Sequence, residues 1–181
     1  MEKWWGSIIA IVLMYSVMGV IFCCGGQRVY PYNMVWLFLF TLCFSYLISQ
    51  VTSVYAYYYG GPLVLTAAGL TLLVVVALTL FALFSRNDFR FLWAAAVATM
   101  ASMIGFGILC IFDWSPVLYQ LYSALVVALL GILLVVDTKL ILGGNRGFEI
   151  SMDNYILGAL VIYIDIMRIF LVILRMLGAR K

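Results

Sequence analysis

Six long apolar segments divide the chain, each long enough to cross a lipid bilayer as a helix. Crossing about 30 Å of hydrocarbon at 1.5 Å per residue takes about twenty residues. Polar or glycine- and proline-rich joints separate the segments, which cover residues 4–24, 34–56, 62–84, 91–112, 116–142 and 154–177. Because 67% of the 181 residues are hydrophobic and only 9% are charged, a water-soluble domain could not bury this much apolar surface. Backbone groups inside lipid need internal hydrogen bonds, which favours helices. The sequence predicts one all-α integral membrane domain over residues 1–181.

The residue types that are missing or scattered narrow the range of functions. There is no histidine, which excludes serine–histidine catalysis and histidine-ligated zinc, haem or copper. The cysteines lack metal-ligand spacing and read as small hydrophobic residues in or beside helices; they are Cys23, Cys24, Cys43 and Cys110. The ten basic residues give a net charge of +3 without a run that would bind nucleic acid. We therefore expect no enzyme activity, no cofactor and no nucleic-acid partner.

Two aspartates lie within the last two apolar segments, where ionisable groups are rare. A charged side chain at the centre of a membrane helix costs about 2.5–3.5 kcal/mol on insertion scales, so such residues are candidates for function. Asp165 lies near the middle of the last segment, and Asp137 lies close to the end of the fifth. Both segments meet at the loop between them, so both aspartates approach the same membrane face. Their expected depths differ by about two turns, roughly 8–10 Å, which helix tilt would have to absorb.

The aspartates allow two interpretations. If Asp137 and Asp165 meet, they cannot both ionise comfortably in a dry site, so they would share a proton and act as a switch. Their oxygens would also suit a hard cation such as Ca²⁺ passing the site. Alternatively, Arg168 follows Asp165 by three residues and could pair with it on the same helix face. The residues alone leave the proton switch and the structural ion pair open.

The second segment carries a polar stripe at four-residue spacing. The stripe is defined by hydroxyl and amide side chains and consists of Thr41, Ser45, Ser49, Gln50 and Ser53. It could line a hydrated path across the bilayer. The competing interpretation is that the hydroxyls bond carbonyls of their own helix or join neighbouring helices.

Several runs resemble motifs of the Lifeguard branch of the Bax-inhibitor family, in family order over nearly the whole chain. Residues 137–144 read DTKLILGG and resemble D-T-Q-L-x-L-G-G, and residues 151–156 read SMDNYI and resemble S-P-E-E-Y-I. Residues 159–166 read ALVIYIDI and are similar to A-L-x-L-Y-x-D-I. Residues 23–33 match C-C-G-x-x-R-x-x-P-x-N, and residues 88–89 match the D-F of the family's middle loop.

The resemblance implies a bundle of six transmembrane helices around a central C-terminal helix, with a calcium leak governed by protonation. It implies that Asp137 and Asp165 form a hydrogen-bonded, pH-sensing pair and that Arg28 helps to latch the closed form. It also implies that the loops carrying Arg28, Arg86 and Arg146 face the cytosol. The expected location is the endoplasmic reticulum or Golgi, and the expected role is calcium homeostasis and suppression of cell death.

Departures from the family pattern support a second expectation. The family has seven helices, and this chain lacks the first, so we expect a groove that a protein partner covers. Arg168 stands where the family has an asparagine, and Val161 replaces a position that is often polar. These departures fit a non-conducting accessory subunit of a larger membrane complex, such as one in the mitochondrial inner membrane. An intramembrane aspartyl protease is disfavoured because Asp165 lacks the preceding G-x-G of those enzymes.

Overall fold

Six α-helices make up the protein in a computed structural model that describes residues 4–23, 32–84, 89–112, 115–142 and 155–179. The helices are α1 (Trp4–Cys23), α2 (Tyr32–Tyr59), α3 (Gly61–Phe84), α4 (Phe89–Phe112), α5 (Pro116–Ile141) and α6 (Tyr155–Ala179). No strand occurs in these ranges. Each helix end lies within three residues of its predicted position. The predicted all-α fold class is confirmed.

Five of the described helices are long and apolar enough to cross a membrane. The spans are Met34–Tyr59, Gly61–Phe84, Phe91–Ile108, Val117–Ile141 and Ile156–Ala179. In α1 the described apolar stretch is shorter, Trp5–Val20, so its crossing of the bilayer stays a prediction. Large apolar side chains such as Leu65 and Phe84 are exposed, as expected where lipid is the solvent. The chain is an integral membrane protein.

Local sequence signals set the ends of the helices that frame the bundle. Gly60, at a φ of 88°, separates α2 from α3 and occupies the left-handed region that favours glycine. Its N–H donates to the carbonyl of Ala56, while its own carbonyl accepts from the N–H of Leu63, so one residue ends α2 and begins α3. At the start of α5, the Ser115 hydroxyl accepts from the N–H of Leu118, a serine N-cap.

The core of the bundle lies between α3, α5 and α6. One buried cluster combines the three helices and consists of Leu63, Ala67, Leu130, Leu134, Ile169, Ile173 and Leu174. Among the described helices, the backbone of α6 comes within 8 Å of α2, α3 and α5, whereas the backbone of α1 comes this close only to α2 and that of α4 only to α5. The C-terminal helix is therefore central, and it shares that position with α5.

The relative directions of the helices fix the depth of each side chain along α6. Phe40 of α2 packs in one cluster with Leu160, and Tyr55 of α2 lies against Gly178, so α2 and α6 run parallel. Helix α5 runs antiparallel to α6, because Ile141 lies beside Gly158 and Leu130 packs in one cluster with Ile169. Asp137 therefore lies on the stretch of α5 that faces α6 between Gly158 and Ile169.

Candidate functional site

Asp137 and Asp165 come together between α5 and α6. The two carboxyl groups are close enough to interact with each other, although the sequence placed them at different depths. Asp165 is 4% exposed, and Asp137 is half-buried. The Oδ2 atom of Asp165 is buried and accepts no hydrogen bond from a protein donor. Because ionised carboxylates only accept hydrogen bonds, a direct bond between these two groups requires a proton that one of them carries.

Close packing of α6 on α5 explains how the two carboxyl groups meet. A Cβ atom on Gly158 would lie 3.2 Å from two side-chain atoms of Ile141, so the glycine allows an approach that a larger residue would obstruct. The small residue lies about two turns before Asp165 on α6, and Ile141 lies about one turn after Asp137 on α5. The neighbouring Thr138 hydroxyl donates to the carbonyl of Leu134 at 2.7 Å and so stays within its own helix.

Two arginines, Arg168 and Arg28, were candidates to interact with the pair formed by Asp137 and Asp165. Arg168 is exposed on α6, and its positive charge attracts the Asp165 carboxylate. It supplies no hydrogen bond to the buried Oδ2 atom of Asp165. Arg28, the predicted latch, lies outside the described residues. The geometry thus joins Asp137 to Asp165, with Arg168 acting on the pair from the exposed side.

Two members of the polar stripe of α2 bond within their own helix. The Thr41 hydroxyl donates to the Phe38 carbonyl at 2.8 Å, and the Ser53 hydroxyl donates to the Ser49 carbonyl at 2.7 Å. Ser49 is exposed and Gln50 is half-buried on the same helix. These bonds match the helix-internal alternative. A hydrated path along the stripe stays a prediction.

Ser45 is the member of the stripe that reaches α6. Its hydroxyl lies 3.1 Å from the Tyr163 hydroxyl, and the Tyr163 ring meets Phe44 edge-on with centroids 5.7 Å apart. This interhelical bond lies two residues from Asp165 along α6. Sequence reasoning did not select Tyr163, although it belongs to the run of residues 159–166 that resembles a family motif. Tyr163 could have been selected because it lies two residues before Asp165 in that run.

The described part of the chain does not build a resident metal site. Within it, no group of three or more His, Cys, Asp or Glu side chains is placed to hold a metal ion. Two carboxylates offer four oxygens, whereas Ca²⁺ takes about 6–8 oxygen ligands. The carboxyl groups of Asp137 and Asp165 alone would therefore leave part of the coordination shell of a calcium ion to water.

Comparison with known proteins gives one family and several relatives. The family model described as "Inhibitor of apoptosis-promoting Bax1" matches residues 1–181. "Protein lifeguard 3" of Mus musculus is 30% identical over 173 residues, covering 93% of this chain and 54% of its own length. The Homo sapiens protein of that name is 31% identical over 180 residues, covering 97% and 55%. A membrane protein of Vibrio cholerae is 26% identical over 94% of this chain and 75% of its own length. The chain spans about half the length of the two lifeguard proteins.

Proposed function

The chain belongs to the Bax inhibitor family, and on this basis we propose that it is a pH-sensitive calcium leak channel of an intracellular membrane. Asp137 and Asp165 form its gate. Through calcium release from stores such as the endoplasmic reticulum or Golgi, it modulates cell death. The family name supports the cellular role, and the buried pair of carboxyl groups supports the mechanism.

The observation that supports the proposal is a buried carboxyl oxygen of Asp165 without a hydrogen-bond donor from the protein. The Oδ2 atom of Asp165 is buried and unpartnered, and the nearest interacting acid is Asp137 on the facing helix. Two like charges that interact in a poorly hydrated site repel strongly, so the pair is stable only while it holds a proton. A structural aspartate would instead be expected to pair with a fixed donor.

Loss of that proton changes the interaction between two helices. With one proton, the pair forms a hydrogen bond that holds α5 against α6. Without it, two carboxylates repel each other and attract a divalent cation at the same time. We expect calcium flux to rise with pH, because deprotonation both loosens the contact and creates a transient cation site. Arg168 adds a positive charge beside Asp165, so it favours the ionised state and opposes the entry of cations.

Calcium flux into liposomes that contain the purified full chain tests the proposal. The wild type should pass calcium in a pH-dependent manner. Asp165→Asn should remove the pH dependence, because the amide donates a permanent hydrogen bond to Asp137 and cannot be deprotonated. Asp153→Asn is the matched control, since it removes a carboxyl that precedes α6 in the sequence and leaves the pair intact. Flux with an unchanged pH profile in Asp165→Asn would overturn the gate.

A second candidate function is a non-conducting accessory subunit of a membrane complex. It is favoured by Arg168, whose charge attracts the Asp165 carboxylate along the same helix. In this case the aspartates fix the α5–α6 contact, and a protein partner covers a face of the bundle. Liposomes separate the two candidates, because an accessory subunit passes no calcium at any pH. Arg168→Gln should then leave flux at zero, whereas in a channel it should move the rise of calcium flux to higher pH, because the positive charge no longer favours the ionised pair.

A further inference from the structure

Tyr163 and Asp165 lie on opposite faces of α6. A helical turn takes 3.6 residues, so two residues along the helix turn the side-chain direction by about 200°. The contacts agree with this geometry. Asp165 interacts with Asp137 of α5, whereas the Tyr163 ring packs against the cluster that contains Phe40 of α2. One turn of α6 therefore presents a carboxyl group to α5 and a phenol ring to α2.

The apolar residues of α6 divide between the same two faces. Leu160 and Ile164 belong with Tyr163 to the cluster that joins α6 to α1 and α2. Ile162 packs against the other cluster, in which Ile169 joins α6 to α3 and α5. Apolar packing is not directional, so it limits rotation of α6 about its axis less sharply than a hydrogen bond of defined geometry does. A polar contact between helices is therefore the better candidate for fixing that rotation.

The hydroxyl groups of Ser45 and Tyr163 form such a contact between α2 and α6. Their oxygen atoms are 3.1 Å apart, and either group can donate the proton. The edge of one ring meets the face of the other where Tyr163 contacts Phe44, which restricts the orientation of the phenol. Because lipid offers no water to replace the bond, neither hydroxyl has a competing partner in the surrounding hydrocarbon. The bond therefore ties one face of α6 to a fixed point on α2.

From these contacts we propose that Tyr163 is a positioning residue for the carboxyl pair: its bond to Ser45 fixes the rotation of α6 and so directs Asp165 towards Asp137. This inference rests on the proposed function, because it names the group that holds the gate in register. Without the bond, α6 can rotate, the two carboxyl groups meet less closely, and water reaches them more easily. Both changes stabilise the ionised pair relative to the shared proton, so the gate opens at a lower pH.

The charges near the pair do not depend on the bond between Ser45 and Tyr163. Asp137 of α5 and Arg168 of α6 act directly on Asp165. Helix α3 carries no titratable side chain. The other titratable side chains of the described residues near this depth are Lys139 of α5, Cys43 and Tyr46 of α2, and Tyr15 of α1. Removing an uncharged hydroxyl leaves all of these groups in place, so a changed pH dependence would report a change in geometry.

The pH profile of calcium flux in liposomes that contain the full chain tests the positioning role. Tyr163→Phe keeps the ring and removes only the hydroxyl, so flux should begin to rise at a lower pH than in the wild type. The shift should be up to about 0.4 pH unit, which is what an average interhelical hydrogen bond in a membrane protein can produce. Ser45→Ala should shift the profile equally. The double variant should shift it no further than either single variant, because all three lack the same bond.

Two further variants serve as matched controls. Tyr57→Phe removes the hydroxyl of a tyrosine that is 84% exposed on α2, and it should keep the wild-type profile. Ser45→Thr keeps a hydroxyl at an exposed position, where the added methyl group has room, and it should also keep the wild-type profile.

The outcomes separate this inference from the proposed function. If the wild type conducts in a pH-dependent manner and both Tyr163→Phe and Ser45→Ala keep its profile, the positioning role is wrong and the gate stands. Additive shifts in the double variant would mean that the two hydroxyls act separately, which also contradicts the role. Lower flux at every pH without a shift would indicate general loosening of the bundle and would overturn the inference. No pH-dependent flux in the wild type would overturn the proposed function and this inference with it.

Discussion

The hydroxyl stripe of α2 and the carboxyl pair of α5 and α6 are both polar features inside the membrane, yet they satisfy their polar atoms differently. On α2, Thr41 and Ser53 donate to carbonyls of their own helix. An ionised Asp165 cannot form such a bond, because a carboxylate has no proton to donate to a carbonyl of its own helix. Its Oδ2 atom is also buried without a hydrogen-bond donor. Polar residues that a helix satisfies internally are structural. In the proposed function, a residue that needs another helix and a proton is the one that responds to pH.

The largest effect is expected where packing brings the two aspartates together. Gly158→Val adds atoms only 3.2 Å from Ile141 and should force α5 away from α6. Overpacking of this kind costs about 1–3 kcal/mol. Unfolding of the protein in mixed micelles at increasing concentrations of a denaturing detergent measures the change in the free energy of unfolding. Gly69→Val is the control, because a Cβ atom at Gly69 meets nothing within 4 Å and the variant should unfold like the wild type.

A smaller effect is expected from the carboxyl pair itself. In a double-mutant cycle of Asp137→Ala and Asp165→Ala, the two substitutions should be coupled by about 1–2 kcal/mol, since each removes one partner of the proposed bond between α5 and α6. The cycle is measured by the same unfolding assay at a pH where the pair is protonated. Coupling near zero would mean that the two side chains act independently, and the contrast with α2 would then disappear.

The smallest effects are expected on α2, and they should differ between neighbouring hydroxyls. Tyr163→Phe removes the bond to Ser45 between α2 and α6 and should cost about 0.6 kcal/mol, the average for interhelical bonds in a membrane protein. Ser53→Ala removes a bond within one helix turn and should change the free energy of unfolding less than that. If Ser53→Ala proved the more damaging, the stripe would have a role beyond helix-internal bonding.

Length and hydropathy predict the helices well but say little about which helices pack together; the central position of the C-terminal helix was expected only from the family resemblance. Length and hydropathy locate each span, because lipid thickness sets both. The main difference at the ends is α2, which continues through the tyrosines to Tyr59 because Gly60 provides the turn. Helices that are apolar on every side carry little information about which helices they contact.

For the candidate site as well, the sequence identifies the residues but does not show how helix packing brings them together. Asp137 and Asp165 are conspicuous because carboxyls are rare in apolar helices, so both could be selected from the sequence. Their contact depends on Gly158 lying against Ile141, which brings α5 and α6 close at a point that residue counting could not specify. The bond from Tyr163 to Ser45 likewise depends on the parallel placement of α2 and α6.

Infrared difference spectroscopy of the reconstituted protein during a pH titration tests the shared proton most directly. A protonated carboxyl inside the membrane has a C=O stretching band that ionised carboxylates lack. We predict one such band that disappears as the pH is raised, is absent in Asp165→Asn and remains in Asp153→Asn. A band that persists in Asp165→Asn, or no protonated carboxyl at any pH at which the protein is folded, would contradict the proton held between Asp137 and Asp165.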